Sequence, residues 1–432
     1  MDIVKNLSYT TLAQILSFLF TLFFSIFVAR LLGPEGQGNY ALWILIPTLI
    51  ARFSHFGFDL SSSYFSEDKR FSDSTIFSTC IFIVLTYFIF STSLFLLYNY
   101  TSLEIELFTS SKEIIFLIII IAGLYLLRTL LMSYLVGKNR IAIHSIFTVS
   151  EAFIPLLLVF SLFFYIDIKA EIVVMIIALN MLLINIFLVK KTFSKIIVPE
   201  KEYLFLGLNY GIKSWANNIF NQLIYRVDIL MVAYFLGPLE TGLYSIAILF
   251  VEKGWFFTGA IAHALFPTIR DQDNFDGPYL SARISRINFL FAFIYLSVLG
   301  MLSYVLVPFM FGEEYLDSVY PLLWLIPGTL FLAVPKIILT QFAVADRMDI
   351  PVKSSGPALL VNIALNLWLI PKMGIIGAAM ATSISYFVYF LISVYFYQKL
   401  TGIHFSKLFL LDKNDLIQIK DFFLNFFKRS SL

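Results

Sequence analysis

Apolar runs long enough to cross a membrane alternate with short polar breaks along nearly the whole chain. In the first half they cover roughly 9–32, 40–60, 75–98, 114–136, 145–165 and 172–189. In the second half they cover roughly 208–236, 243–267, 287–311, 319–345, 354–370 and 375–397. A hydrocarbon core of about 30 Å asks for about 20 apolar residues per helix, so each run predicts one transmembrane helix and little is left for a soluble domain. The pattern changes after Tyr397. From Phe405 to Phe427, apolar positions such as Leu408, Leu416, Ile419 and Phe423 are interleaved with Asp412, Lys413, Asp415, Lys420 and Asp421. That mixture is too charged to span and predicts an amphipathic helix lying at the cytoplasmic interface, with a partner-binding tail as the alternative.

The two sets of six are related by an internal repeat. Val28 to Tyr40 reads V-A-R-L-L-G-P-E-G-Q-G-N-Y and Val232 to Tyr244 reads V-A-Y-F-L-G-P-L-E-T-G-L-Y, with Val, Ala, Leu, Gly, Pro, Gly and Tyr in register. Gly33-Pro34 and Gly237-Pro238 should each stop one helix, and Gly38 and Gly242 should complete the turn and release the next. A second echo pairs Leu135 to Arg140 with Phe342 to Arg347. A six-plus-six repeat puts both halves in the membrane the same way up, related by an axis along the membrane normal. The expected organisation is a first six-helix lobe over 1–200, a second over 201–400 and the tail over 401–432.

Composition agrees with this reading. The 432 residues are 59% hydrophobic and 13% charged, with a mean hydropathy of +0.87, far from globular norms. Of the basic residues, the outer loops hold Arg30, Lys112, Lys169 and Lys372, while the inner segments and tail hold nearly all the rest. By the positive-inside rule both termini are cytoplasmic. A net charge of +2 argues against nucleic acid as a partner, and the single cysteine, Cys80, says nothing about redox compartment. The first run is of span length and ends without a small-residue cleavage site, so no cleavable leader is expected.

No phosphate-binding loop and no zinc-protease motif occurs. His55, His144, His263 and His404 are scattered without metal-ligand spacing, so neither metal nor cofactor is expected and a catalytic role is unpromising. The unusual feature is positive charge inside the apolar runs, at Arg52, Arg128, Arg226, Lys253 and Lys336. A cation facing lipid at mid-bilayer costs about 2.5 to 3.5 kcal/mol even on lenient scales, so these side chains should face protein or water. Arg52 and Lys253 lie in the second run of their halves, Arg128 and Lys336 in the fourth, which suits a basic cavity on the repeat axis. Arg52, His55 and Asp59, spaced i, i+3, i+7, should share one helix face. In the seventh run, Ser214, Asn217, Asn218, Asn221, Gln222, Tyr225 and Arg226 form a polar arc, and Asp228 at i+2 from Arg226 should point elsewhere. The competing reading of each cation is a structural ion pair, Arg52 with Asp59, or Lys253 with Glu252 or Glu151. Acids in or near the runs are Asp59, Glu151, Asp228 and Glu252, fewer than the cations. With 48 phenylalanines in the chain, aromatic faces are read as lipid contact. A cationic cavity without a catalytic constellation suits an anion with an apolar body, such as a lipid-linked pyrophosphate.

Two segments carry a resemblance to a known family. Ala29 to Ala41, A-R-L-L-G-P-E-G-Q-G-N-Y-A, and Leu369 to Thr382, L-I-P-K-M-G-I-I-G-A-A-M-A-T, resemble the Wzx-type polysaccharide biosynthesis flippases. These belong to the multidrug/oligosaccharidyl-lipid/polysaccharide exporter superfamily. Gln37 departs from the pattern, where an aromatic residue is common. The resemblance implies an all-α bundle of about twelve transmembrane helices in two lobes, in the bacterial inner membrane. It implies translocation of undecaprenyl-pyrophosphate-linked oligosaccharide to the outer leaflet by alternating access, not an enzymatic reaction. Arg52, Arg128, Arg226, Lys253 and Lys336 would then meet the pyrophosphate, with Asn218 and Gln222 meeting sugar. A coupled H+ or Na+ would engage Asp59, Asp228, Glu151 or Glu252. Membrane lipid, a polysaccharide polymerase and a chain-length regulator are the implied partners. A multidrug exporter of the same superfamily, its lipid II flippase branch and a membrane polymerase or ligase stay open as alternatives; the first would want carboxylates in its cavity, the second two more spans, the third large outer loops.

Overall fold

The computed structural model describes residues 2–101, 111–255, 258–259, 276–344, 347 and 349–410. These form helices and short connections, with no strand among the described residues. In chain order the helices are α1 (Asp2–Ser54), α2 (Phe58–Phe65), α3 (Asp73–Thr101), α4 (Lys112–Gly137), α5 (Ile141–Leu162) and α6 (Ala170–Thr192). They continue with α7 (Lys201–Leu236), α8 (Pro238–Lys253), α9 (Asp276–Phe311), α10 (Val319–Leu332), α11 (Pro335–Val344) and α12 (Asp349–Thr401). Nine helical stretches among the described residues are long and apolar enough to cross a membrane, so the protein is a multi-pass membrane protein. The twelve runs of the sequence map onto them unevenly. Two stretches, Tyr9–Ser54 and Asp349–Thr401, have 46 and 53 residues, about twice a span. In the run from 243 to 267 the continuous helix ends at Lys253.

The doubled helices contain the predicted turns. In α1, Gly33 has φ 63 and ψ 176, and between α7 and α8 Gly237 has φ 85 and ψ −173. Only glycine adopts such angles without strain. Each is followed by a proline in the first helical position, where the missing N–H is not needed. Gly374 (φ 61) breaks α12 in the same way. Gly38 and Gly242, however, lie inside helices and do not belong to the turn. A methyl group on Gly38 would overlap the backbone carbonyl of Pro238, and one on Gly242 would overlap that of Pro34. Their role is to let the two repeated turns touch backbone to backbone.

By contacts the chain forms two compact units. The first is Met1–Gln222 with Ala233–Ser245 and Met310–Glu314; the second is Leu223–Val232, Ile246–Phe309 and Tyr315–Leu432. In the first, Ile76, Leu126, Leu130, Leu135 and Tyr203 are buried in one apolar cluster. Arg30 donates from Nε to the carbonyl of Met310 at 2.8 Å. In the second, Ile224, Leu332, Ala358, Tyr386 and Tyr389 form a smaller cluster around α7, α10 and α12.

Two helices break where the apolar pattern runs on. The second run ends at Ser54, because Phe56 (φ 46) and Gly57 (φ 83) turn the chain before α2. Gly57 packs its backbone on Gly211, and the Trp215 ring lies on Phe56 at 5.4 Å while its Nε1 donates to the Arg52 carbonyl at 3.0 Å. The predicted shared face of Arg52, His55 and Asp59 is therefore interrupted, since helical spacing stops short of His55. The run from 319 to 345 breaks at Ala333 and Val334, and α11 starts afresh at Pro335. The freed carbonyl of Ala333 accepts from Asn288 Nδ2 at 3.0 Å, and Asn288 Oδ1 accepts from Thr258 at 3.0 Å. A broken helix at membrane depth needs such substitutes for its lost backbone bonds. The predicted tail begins with a single tight turn, Phe405–Leu408, rather than an α-helix. From residue 411 onward it lies outside the described residues, as does His263.

Candidate functional site

In the first unit the polar interior is built on α4, α5 and α6. Arg128 and Glu151 form an ion pair, each side chain about one-fifth exposed, and Asn180 donates to the Glu151 carbonyl at 3.2 Å. This is an ion pair of the structural kind, though not between the residues expected to make one. Near the break before α2, His55 Nδ1 lies 3.1 Å from Asp59 Oδ1 and 3.1 Å from the Gly57 amide nitrogen, donating to the first when it carries a proton and accepting from the second when it does not. Asp59 is thus engaged by a histidine and not by the expected Arg52. Arg52 is exposed. On α7, Asn218 is exposed and Gln222 half-buried, while Asn221 Nδ2 donates to Asn217 Oδ1 at 3.1 Å.

In the second unit three helices bring together a denser cluster. Arg226 on α7 donates to Glu252 on α8 at 2.9 Å. Glu252, half-buried beside Lys253 in sequence, pairs with Arg226. Asp228, two residues on from Arg226, is buried, and its carboxylate accepts from Thr382 Oγ1 and from the Ile229 N–H, both at 2.8 Å. Asn362 on α12 donates to Thr382 Oγ1 at 3.3 Å and receives a bond from Asn366, so an amide chain extends from the carboxylate. Between them lies a cavity of about 10 Å³, lined by Tyr225, Asp228, Glu252, Trp255, Thr329 and Tyr386 among others. That is at the lower limit for one water molecule, and the lining suits a water or a small cation. No group of three metal-ligating side chains occurs among the described residues.

Lys336 is placed by the break. It is the second residue of α11, and its Nζ lies 3.5 Å from the centroid of the Trp255 ring and 4.9 Å from that of Tyr225. The two rings are 5.0 Å apart, and Tyr386 stands edge-on to Tyr225 at 6.0 Å. An ammonium over aromatic faces is attracted by their quadrupole.

Sequence reasoning found the cations and carboxylates but missed Trp255, Thr382, Asn288 and the break that positions Lys336. Pro335 and Gly57 were the available signals for the two breaks. The pairing of Asp228 with Thr382, 154 residues apart, has no local signal.

A family model described as "Polysaccharide biosynthesis protein" matches residues 3–272. The Staphylococcus aureus capsular polysaccharide biosynthesis protein CapF is 24% identical over 420 residues, covering 92% of this chain and all of CapF. Among solved structures, the lipid II flippase MurJ in an inward closed conformation aligns with a TM-score of 0.69 at 16% identity, covering 98% of this chain and 93% of that one. An inward-facing multidrug transporter of the MATE family aligns with a TM-score of 0.67 at 14% identity, covering 89% and 96%. The chain therefore shares the fold of these two solved transporters.

Proposed function

The chain belongs to the family of polysaccharide biosynthesis proteins, and from that premise we propose that it flips undecaprenyl-pyrophosphate-linked oligosaccharide across the bacterial inner membrane. The direction is from cytoplasmic to outer leaflet, by alternating access, with coupling to H+ or Na+. The observation that carries the reading is Lys336. Its ammonium sits on rings at the start of α11, where the positive end of the helix dipole also favours an anion. A phosphate displaces it from Trp255 and Tyr225 at modest expense, since a cation on an aromatic face is held by about 0.5 to 2 kcal/mol. Lys253 in the same unit adds positive charge, as Arg52 does in the first, whereas Arg226 and Arg128 are paired with Glu252 and Glu151. Asn218 and Gln222 offer amides to sugar hydroxyls.

Of the four acids considered for coupling, Asp228 is supported best. Its oxygens face a cavity of single-ion size together with Thr382, Thr329 and tyrosine hydroxyl-bearing rings, an oxygen-rich set that suits Na+ or a proton. Glu151 and Glu252 are held by arginines and Asp59 by His55. Asp228→Asn is expected to preserve protein level while removing the dependence of transport on the ion gradient; unchanged gradient dependence would exclude Asp228.

The reading as a whole is tested in proteoliposomes containing the purified chain and a fluorescent lipid-linked oligosaccharide, with leaflet occupancy read by a membrane-impermeant quencher. Flipping at many times the protein-free rate supports it. In cells, deletion should leave complete units on the cytoplasmic leaflet. Translocated units with short polymer would instead indicate a polymerase, and neither change would return the question to drug export.

A further inference from the structure

In the second unit, an aromatic groove of about 360 Å³ opens beside α9, α10, α12 and the turn after α12. Phe289, Phe331, Phe387, Phe390 and Phe409 form its body. Phe331 packs on Phe387 at 4.9 Å and on Phe390 at 5.2 Å, and Phe289 meets Phe409 at 6.1 Å. Its far wall is the segment that folds back after Gly402 (φ +71). Ile403 and Leu408 are buried there in the apolar cluster of Val394 and Tyr397, and Arg286 donates to the Lys407 carbonyl at 2.9 Å. The groove is thus a held shape, not a gap between loose side chains. Leu391 and Tyr395, on its rim, are about half exposed on a span-length helix, so it opens toward the acyl chains of the bilayer.

Three basic residues neighbour residues that line this groove. Arg286 stands one helical turn before Phe289 on α9, Lys407 lies between the two lining residues Phe405 and Phe409, and the Lys399 ammonium is 5.7 Å from the ring of Tyr395. The basic bias of the chain puts these residues at the cytoplasmic surface. An apolar channel open to lipid, with three cations at headgroup level, matches one kind of molecule: an amphiphile with a hydrocarbon chain and a net negative head. The geometry points to a binding site for an anionic glycerophospholipid, one acyl chain lying among the phenylalanines and the phosphate diester resting on Lys399, Lys407 and Arg286. A zwitterionic lipid has the same chain but its own cation would meet these three, so the site discriminates by headgroup.

The test uses the full purified chain in detergent, titrated with dioleoylphosphatidylglycerol or dioleoylphosphatidylcholine, with retained lipid counted by native mass spectrometry. The phosphatidylglycerol is expected to be retained and the phosphatidylcholine not. Lys399→Gln and Lys407→Gln should each weaken retention about fivefold, following roughly 1 kcal/mol per basic residue near an anionic headgroup. The double Lys→Arg variant should retain lipid as the parent does, which separates loss of charge from loss of folding. Phe387→Ala, which removes an apolar wall without changing charge, should weaken retention of the same lipid. Equal retention of the two lipids, or no effect of the glutamine substitutions, overturns the site. Displacement of the phosphatidylglycerol by equimolar undecaprenyl phosphate overturns the assigned occupant in favour of the transported lipid's own chain. Retention seen only after truncation at residue 410 assigns the groove to the chain's own terminal segment.

Discussion

Arg128 and Lys336 are counterparts in the sequence, each a cation in the fourth apolar run of its half, yet they are held in unlike ways. Arg128 lies on an unbroken helix and is paired with Glu151. Lys336 lies just after a break and rests on the rings of Trp255 and Tyr225. A carboxylate partner cancels the charge it holds, and separating such a partly buried pair leaves an uncompensated ion behind. A ring face supplies no counter-charge and releases the cation for far less. On the proposed function, the repeat supplies two cations, one committed to architecture and the other offered to a ligand.

The sharpest way to break this contrast is to disrupt the pair. Arg128→Gln is expected to destabilise the protein by about 3 kcal/mol, the lower end for removing one partner of a buried pair, because the side chains retain some exposure. The double variant Arg128→Gln with Glu151→Gln should recover most of that in a thermal-shift measurement and with it most transport. A double variant that folds normally but does not transport would move Arg128 from architecture into the substrate's path. Next in size, Lys336→Gln should lower transport about tenfold or more, as expected for a lost charged hydrogen bond, with melting temperature little changed. If stability falls as far as for Arg128→Gln, the two cations are equivalent and the contrast fails. Smallest, Trp255→Leu should reduce transport by a few-fold while Trp255→Phe, which keeps a ring face, should stay near wild type. Equal effects of the two would remove the ring from the account.

How much of this could be read in advance depends on how far apart the interacting residues lie in the chain. The helices were legible because burial in lipid demands an unbroken apolar run, and the Gly-Pro turns because both residues restrict the backbone locally. The charges were legible too, since a cation among leucines and phenylalanines is conspicuous wherever it points. Their partners were not. Which acid Arg128 meets depends on the rotation of α4 against α5, and the spacing i, i+3, i+7 misled for Arg52 and Asp59 because Gly57 ends the helix between them. The break before Lys336 had a signal in Pro335, but Leu332, Ala333 and Val334 around it are as apolar as any span, so the pattern ran through it. Asn288, which satisfies the broken backbone, gives no sign of that role in its own neighbourhood.

The contact between Gly38 and Gly242 has a consequence for how the two halves can age. Duplication ordinarily frees one copy of a motif to drift while the other keeps its duty. Here each glycine is pressed against the carbonyl of the proline that opens the other turn, so neither can accept even a methyl group unless the opposite turn retreats. The pair behaves as a mutual lock on inheritance: the interior chemistry of the halves has diverged, as Arg128 and Lys336 show, while the joint between the two turns can change only if both copies change together.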